Sequence, residues 1–100
     1  MIRRDADGCL RVEAPMTLAN ARPLLATGEA ALQTALRAGG KKCALEFSGV
    51  AGVDSSGLAV LLAWQRFCRA RDARLCLAGA PENLRALADL YGLSPLFEWT

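Results

Sequence analysis

Leu45-Glu46-Phe47-Ser48-Gly49-Val50-Ala51-Gly52-Val53-Asp54-Ser55-Ser56-Gly57-Leu58 is the stretch whose reading decides the fold. Its first residues, with Cys43 and Ala44 before them, form a short apolar run suited to a buried strand. Ser48 to Val53 contains two glycines and reads as a loop. Asp54 and Ser55 are both good N-caps, and apolar residues recur at helical spacing from Leu58 to Cys68, so a helix follows. Arg74-Leu75-Cys76-Leu77-Ala78 is a second strand-like run, which completes a strand–helix–strand unit.

Working outward, Ile2 to Asp5 leads through Asp7-Gly8, a dipeptide that favours a tight hairpin turn, into Cys9 to Ala14, where apolar and polar residues alternate. A β-hairpin is expected there. Ala21, Leu24, Leu25, Gly28, Ala31, Leu32, Ala35 and Leu36 then recur with helical period, which predicts a helix from about Asn20 to Arg37, stopped by Gly39-Gly40. After Ala78, Gly79-Ala80 turns into Pro81, expected at the first helical position, and Leu84, Leu87, Ala88 and Tyr91 supply an apolar face before Gly92. Ser94-Pro95 opens one last short turn carrying Leu96, Phe97 and Trp99. This order predicts one α/β domain over residues 1–100: a mixed, mostly parallel sheet after an N-terminal hairpin, with right-handed crossovers and helices packed on it. One hundred residues support one such core.

Composition narrows the function classes. The net charge is +2, and the basic residues are spread from Arg3 to Arg85 without a dense run or interleaved aromatics, so nucleic acid is not the expected partner. Leu58 to Trp64, the longest apolar stretch, is too short to span a bilayer, and Met-Ile-Arg-Arg-Asp is not the start of a signal peptide. A cytoplasmic protein is expected. Histidine is absent and Cys9, Cys43, Cys68 and Cys76 contain no Cys-x-x-Cys pair, so no metal or cofactor is expected and the cysteines read as small buried thiols. Gly49-Val50-Ala51-Gly52 lacks the lysine of a phosphate-binding loop. Neither Ser55 nor Ser56 has glycine at both −2 and +2, and no base stands ready to activate either hydroxyl. The chain is not expected to be an enzyme.

The candidate site is the start of the second helix, at the carboxyl edge of the sheet where ligands of such folds collect. A helix N-terminus exposes unpaired N–H groups and partial positive charge. A serine there caps the helix when unmodified; phosphorylated, it adds about −1.5 to −2 of charge. Gly57 removes bulk beside both hydroxyls and would let another protein approach the backbone. The same four residues are also simply a good capping sequence. Farther along, Leu58, Leu61, Leu62 and Cys68 form one stripe, and Val60, Trp64 and Phe67 form a second. One sheet face cannot easily bury both, so the second stripe either packs on a neighbouring helix or partly meets a partner protein. Arg66, Arg69 and Arg71 close the helix, where its dipole favours cations.

Leu45-Glu46-Phe47-Ser48-Gly49-Val50 followed by Val53-Asp54-Ser55-Ser56-Gly57-Leu58 resembles the signature of STAS domains, including bacterial anti-sigma factor antagonists. The resemblance in element order runs from about Cys9 to Phe97. It implies a regulatory binding module whose second motif serine, Ser56, is the residue an anti-sigma factor kinase phosphorylates, with Ser55 as a neighbouring contact. Leu58 to Trp64 and Leu87 to Leu93 look more like the MlaB-like STAS subunit of the Mla-type phospholipid ABC transporter, as does an end at Thr100 without the further strand and helix common in the antagonists. That branch implies a non-enzymatic accessory subunit at the inner face of the membrane, bound to the cytosolic ATPase. In some such subunits a threonine stands in place of Ser55 and matters for function. Together the motif and the second stripe nominate Val53, Asp54, Ser55, Ser56, Gly57, Val60 and Trp64 as partner-binding residues.

Overall fold

A computed structural model describes residues 1–5 and 8–100; Asp7 of the expected hairpin turn lies outside the described residues. Strands β1 (Ile2–Arg4) and β2 (Leu10–Val12) are followed by a 3-10 turn at Leu18–Asn20 and helix α1 (Ala21–Arg37). Strand β3 (Lys42–Glu46), helix α2 (Ser55–Arg69), strand β4 (Arg74–Ala78) and helix α3 (Glu82–Leu90) come next, and a 3-10 turn at Ser94–Leu96 leads into β5 (Glu98–Trp99). One five-stranded sheet results, in the order β1-β2-β3-β4-β5. β1 and β2 are antiparallel, while β2–β3, β3–β4 and β4–β5 are parallel.

That order explains the layering. Each crossover advances one strand in the same direction, and right-handed connections then lay α1, α2 and α3 on a single face. Alternation along the strands fits this arrangement. Leu10, Val12, Cys43, Leu45, Phe47, Leu75 and Leu77 are buried and join the helices in one core, with Cys43 opposite Leu75 and Leu45 opposite Leu77. The intervening residues face the other way and carry ion pairs: Arg3 with Asp5 and Glu13, Arg11 with Asp5 and Glu46, Arg74 with Glu98. Because strand order never reverses, the sheet has no switch-point crevice of the kind that collects ligands in doubly wound folds.

The sheet depends on local chemistry at the helix ends. Gly39, just past α1, has φ +98°, which a residue with a Cβ rarely adopts and which ends the helix as the glycine pair implies. Pro81 is the N-cap of α3 rather than its first helical residue: its ψ of 147° is extended, and its carbonyl accepts hydrogen bonds from the N–H groups of Leu84 and Arg85. Tyr91, expected on the core face, lies beyond the last helical residue and is 56% exposed. Strand β5 was not anticipated. It is two residues long, too short for a periodicity to register, and is held by parallel pairing of Glu98 with Cys76 and Trp99 with Leu77. Cys43, Cys68 and Cys76 are buried as expected, whereas Cys9 is only half-buried, its Sγ within reach of the Ala44 carbonyl at 3.6 Å. Burial pushes the Cys68 thiol up to about 12, which keeps it protonated and unreactive.

Candidate functional site

The corner at the start of α2 is assembled from two distant pieces of chain. Met16 forms an isolated parallel bridge with Val53; its N–H donates to the Gly52 carbonyl at 2.8 Å and its carbonyl accepts from the Asp54 N–H at 3.1 Å. Asp54 is extended and caps the helix: one carboxylate oxygen accepts from the N–H groups of Ser56 at 2.8 Å and Gly57 at 3.2 Å. The other accepts from the Leu18 N–H at 3.0 Å. One side chain therefore pins the 3-10 turn at Leu18–Asn20 to the N-terminus of α2. Hydrogen bonds from the backbone N–H of Leu18 first, and then of Gly57 and Ser56, hold the Asp54 carboxyl below its usual range, against a smaller opposing effect of desolvation. Asn83 of α3 closes the corner from the other side, its amide donating to the Val53 carbonyl at 3.4 Å.

Two expectations change as a result. The anion seat at the helix N-terminus is occupied by the chain's own carboxylate, so a phosphate on Ser56 would sit beside a negative charge. Gly57 faces inward: a Cβ there would lie 2.1 Å from the Met16 carbonyl oxygen, a clash with backbone that cannot turn aside. The glycine makes room for the chain's own bridge rather than for another protein.

The second apolar stripe of α2 packs on α1. Trp64 is 0% exposed, its indole N–H donates to the Leu25 carbonyl at 3.2 Å, and a Cβ on Gly28 would fall 2.2 Å from its ring. Val60 is also buried. Trp64 therefore presents no surface to a partner, a correction to its nomination, because the absent side chain at Gly28 lets the indole fill the helix–helix seam.

What the corner does present is a pair of open apolar grooves, one on each side of the first turns of α2. One, of about 440 Å³, runs between Leu18, Ala21, Arg22 and Leu25 on one wall and Ser56, Ala59 and Val60 on the other. The second, of about 470 Å³, is lined by Ser55, Leu58, Ala59, Leu62, Tyr91 and Leu93. Exposed Ala59 is the ridge between them, Ser55 is exposed and Ser56 half-buried. Leu18, 76% exposed, and Tyr91 form the outer rims. The structure thus brings Asp54, Ser55, Ser56 and Val60 together and adds Leu18, Ala59 and Tyr91. Sequence reasoning missed these three because Leu18 lies just outside regular helix, where periodicity carries no signal, the helical spacing placed Tyr91 on the core face instead, and alanine carries little signal anywhere. Among the described residues no group of His, Cys, Asp and Glu side chains is arranged to hold a metal.

Comparison with known proteins agrees with this architecture. A family model described as "Mlab, STAS domain" matches residues 2–98. No match to a curated protein was found. Among solved structures, one described as an anti-sigma factor antagonist from Thermotoga maritima superposes with a TM-score of 0.71 at 17% identity, covering 99% of this chain and 83% of that one. The anti-sigma factor antagonist SpoIIAA in its unphosphorylated form gives a TM-score of 0.72 at 17% identity, covering 100% of this chain and 88% of its own. At that identity the likeness speaks for the fold, while the family model spans nearly the whole sequence, so the chain belongs to the MlaB-type STAS domain family.

Proposed function

We propose that this protein is a non-enzymatic accessory subunit that docks on the cytosolic ATPase of an Mla-type phospholipid ABC transporter and regulates its assembly. The observation that carries the reading is the twin-groove corner: apolar, open to solvent, lined by Ser55 on one side and Ser56 on the other, and built on a strand-to-helix junction. Exposed apolar surface rimmed by polar groups fits a protein partner. Membership of the MlaB-type family supports the choice of partner. Such a subunit works in the cytoplasm. No described helix is long and apolar enough to cross a membrane, so contact with the transporter would run through the ATPase.

The test is co-purification with the candidate ATPase. Ala59→Glu, Ser55→Asp and Ser56→Asp add charge or bulk at the corner and are expected to weaken capture at least tenfold while the circular dichroism melting curve stays in place. Undiminished capture by all three would overturn the proposal. The anti-sigma factor antagonist reading keeps one observation in its favour, a half-buried Ser56 that lines one of the grooves. Under that reading, incubation with a serine kinase places phosphate on Ser56 and releases the partner.

A further inference from the structure

The cations that look dispersed in the sequence converge in space. Residues 37–42, which leave α1 and enter β3, and residues 66–74, which leave α2 and enter β4, lie side by side at the amino edge of the sheet: the Arg74 N–H donates to the Lys41 carbonyl at 2.9 Å, and Lys42 pairs with Arg74 across the strands. These two segments hold seven of the twelve Lys and Arg residues and one acidic residue, Asp72. They carry +6 while the rest of the chain carries −4, the two making up the net +2.

Some of this charge is spent internally. Arg71 donates to the Phe67 carbonyl at 3.0 Å and lies 3.5 Å over the Phe67 ring, and Arg74 is paired with Glu98. Arg37, Lys41, Lys42, Arg66 and Arg69 are exposed and form no salt bridge among the described residues. Favourable placement at helix C-termini accounts for Arg37, Arg66 and Arg69 one at a time. It does not account for Lys41 and Lys42, which lie beyond α1 and leave the cations in excess over Asp72 and Glu98, the acids lining the neighbouring groove with Arg69 and Arg74. A groove of about 280 Å³ between Arg37, Lys41 and Arg71 has no acidic residue in its lining.

We infer that this basic pole is a docking surface for an anionic lipid membrane. The pole draws its cations from two chain segments that meet at one edge of the sheet, which suits a planar sheet of charge. Adsorption to anionic headgroups needs clustered Lys and Arg and no deep apolar anchor. A protein partner would call for a buried apolar or aromatic centre, and Leu36 beside the groove is only partly exposed. Stacking of nucleic-acid bases would call for an open aromatic face, and Phe67 is covered by Arg71. Docked on its basic pole, the protein keeps the twin-groove corner at the opposite, carboxyl edge of the sheet, so membrane and partner can be engaged together.

Vesicle co-sedimentation of the full chain tests the surface. Vesicles of phosphatidylcholine with one third phosphatidylglycerol are expected to retain about tenfold more protein at low salt than pure phosphatidylcholine vesicles, with the difference lost in high salt. The triple variant Arg37→Gln, Lys41→Gln, Arg69→Gln is expected to abolish retention with an unchanged melting temperature, and Ala59→Glu to keep it. Equal retention on both vesicle types, no retention on either, or retention that survives the triple substitution would overturn the inference. If the triple variant melts early, Lys41→Gln with Lys42→Gln replaces it, since neither lysine lies in a helix. Capture of the ATPase is read separately, so either proposal can fail without the other.

Discussion

The two ends of α2 make opposite use of the same kind of surface. Toward its C-terminal half, the Trp64 indole is sealed against α1 because Gly28 has no side chain to hold the helices apart. Toward its start, Ala59 and the two serines meet no such neighbour, and the apolar walls beside them stay open. An apolar stripe at helical spacing therefore says that a helix has something to bury, and only the residue facing it says whether the chain itself supplies the cover. Placing one glycine on α1 closes the seam, while leaving a short 3-10 turn instead of a longer α1 opens the groove above it.

The largest effect expected from breaking this contrast is at the closed end. Trp64→Ala should cost about 3–5 kcal/mol by emptying a fully buried site, seen as an early denaturant midpoint, while the folded fraction keeps its affinity for partner. Unchanged stability with lost affinity would mean that the seam, not the corner, is the interface. Gly57→Ala comes next, at about 1–3 kcal/mol or more, because the added methyl meets the Met16 carbonyl oxygen. Gly28→Ala should cost about 1–3 kcal/mol through the clash with Trp64 and shift the tryptophan fluorescence as the indole is displaced. At the open end the sign of the experiment reverses: Ala59→Glu should leave stability within about 0.5 kcal/mol and lower partner affinity at least tenfold.

The smallest effect concerns acid. The Asp54 carboxyl is held below its usual range, so the stability it contributes is complete above the ordinary carboxylate pKa and is lost as pH falls through the depressed folded value. Asp54→Asn should flatten that part of the stability profile between neutral and strongly acid pH. A variant whose profile follows the parent protein throughout would show that the carboxylate does not pin the 3-10 turn to α2.

Much of the fold was legible because its signals are local. Strand β4 runs from Arg74 to Ala78 as the apolar pattern implies, α1 ends at Arg37 before Gly39, and Asp54 rather than Ser55 is the cap of α2, one of the two residues nominated. What stayed hidden depends on pieces that meet only in three dimensions. Gly57 looked like clearance for an outside partner because the Met16 backbone it accommodates is 41 positions away. The grooves were invisible because their walls come from Leu18, Ala59 and Tyr91, which belong to no shared periodicity. Strand β5 was missed because two residues cannot display an alternation, and the basic pole because residues 37–42 and 66–74 are far apart along the chain.

The bond from the Leu18 N–H to the Asp54 carboxylate spans 36 residues, and it has a consequence for biogenesis. One wall of the candidate surface is synthesised well before the other, and this bond forms only once both are present. An emerging polypeptide on the ribosome, or a synthetic peptide covering α2 by itself, lacks the Leu18 wall and would compete poorly for a partner. If the proposed docking holds, recognition of the corner would double as a proofreading step, admitting to a complex only molecules whose folding has finished.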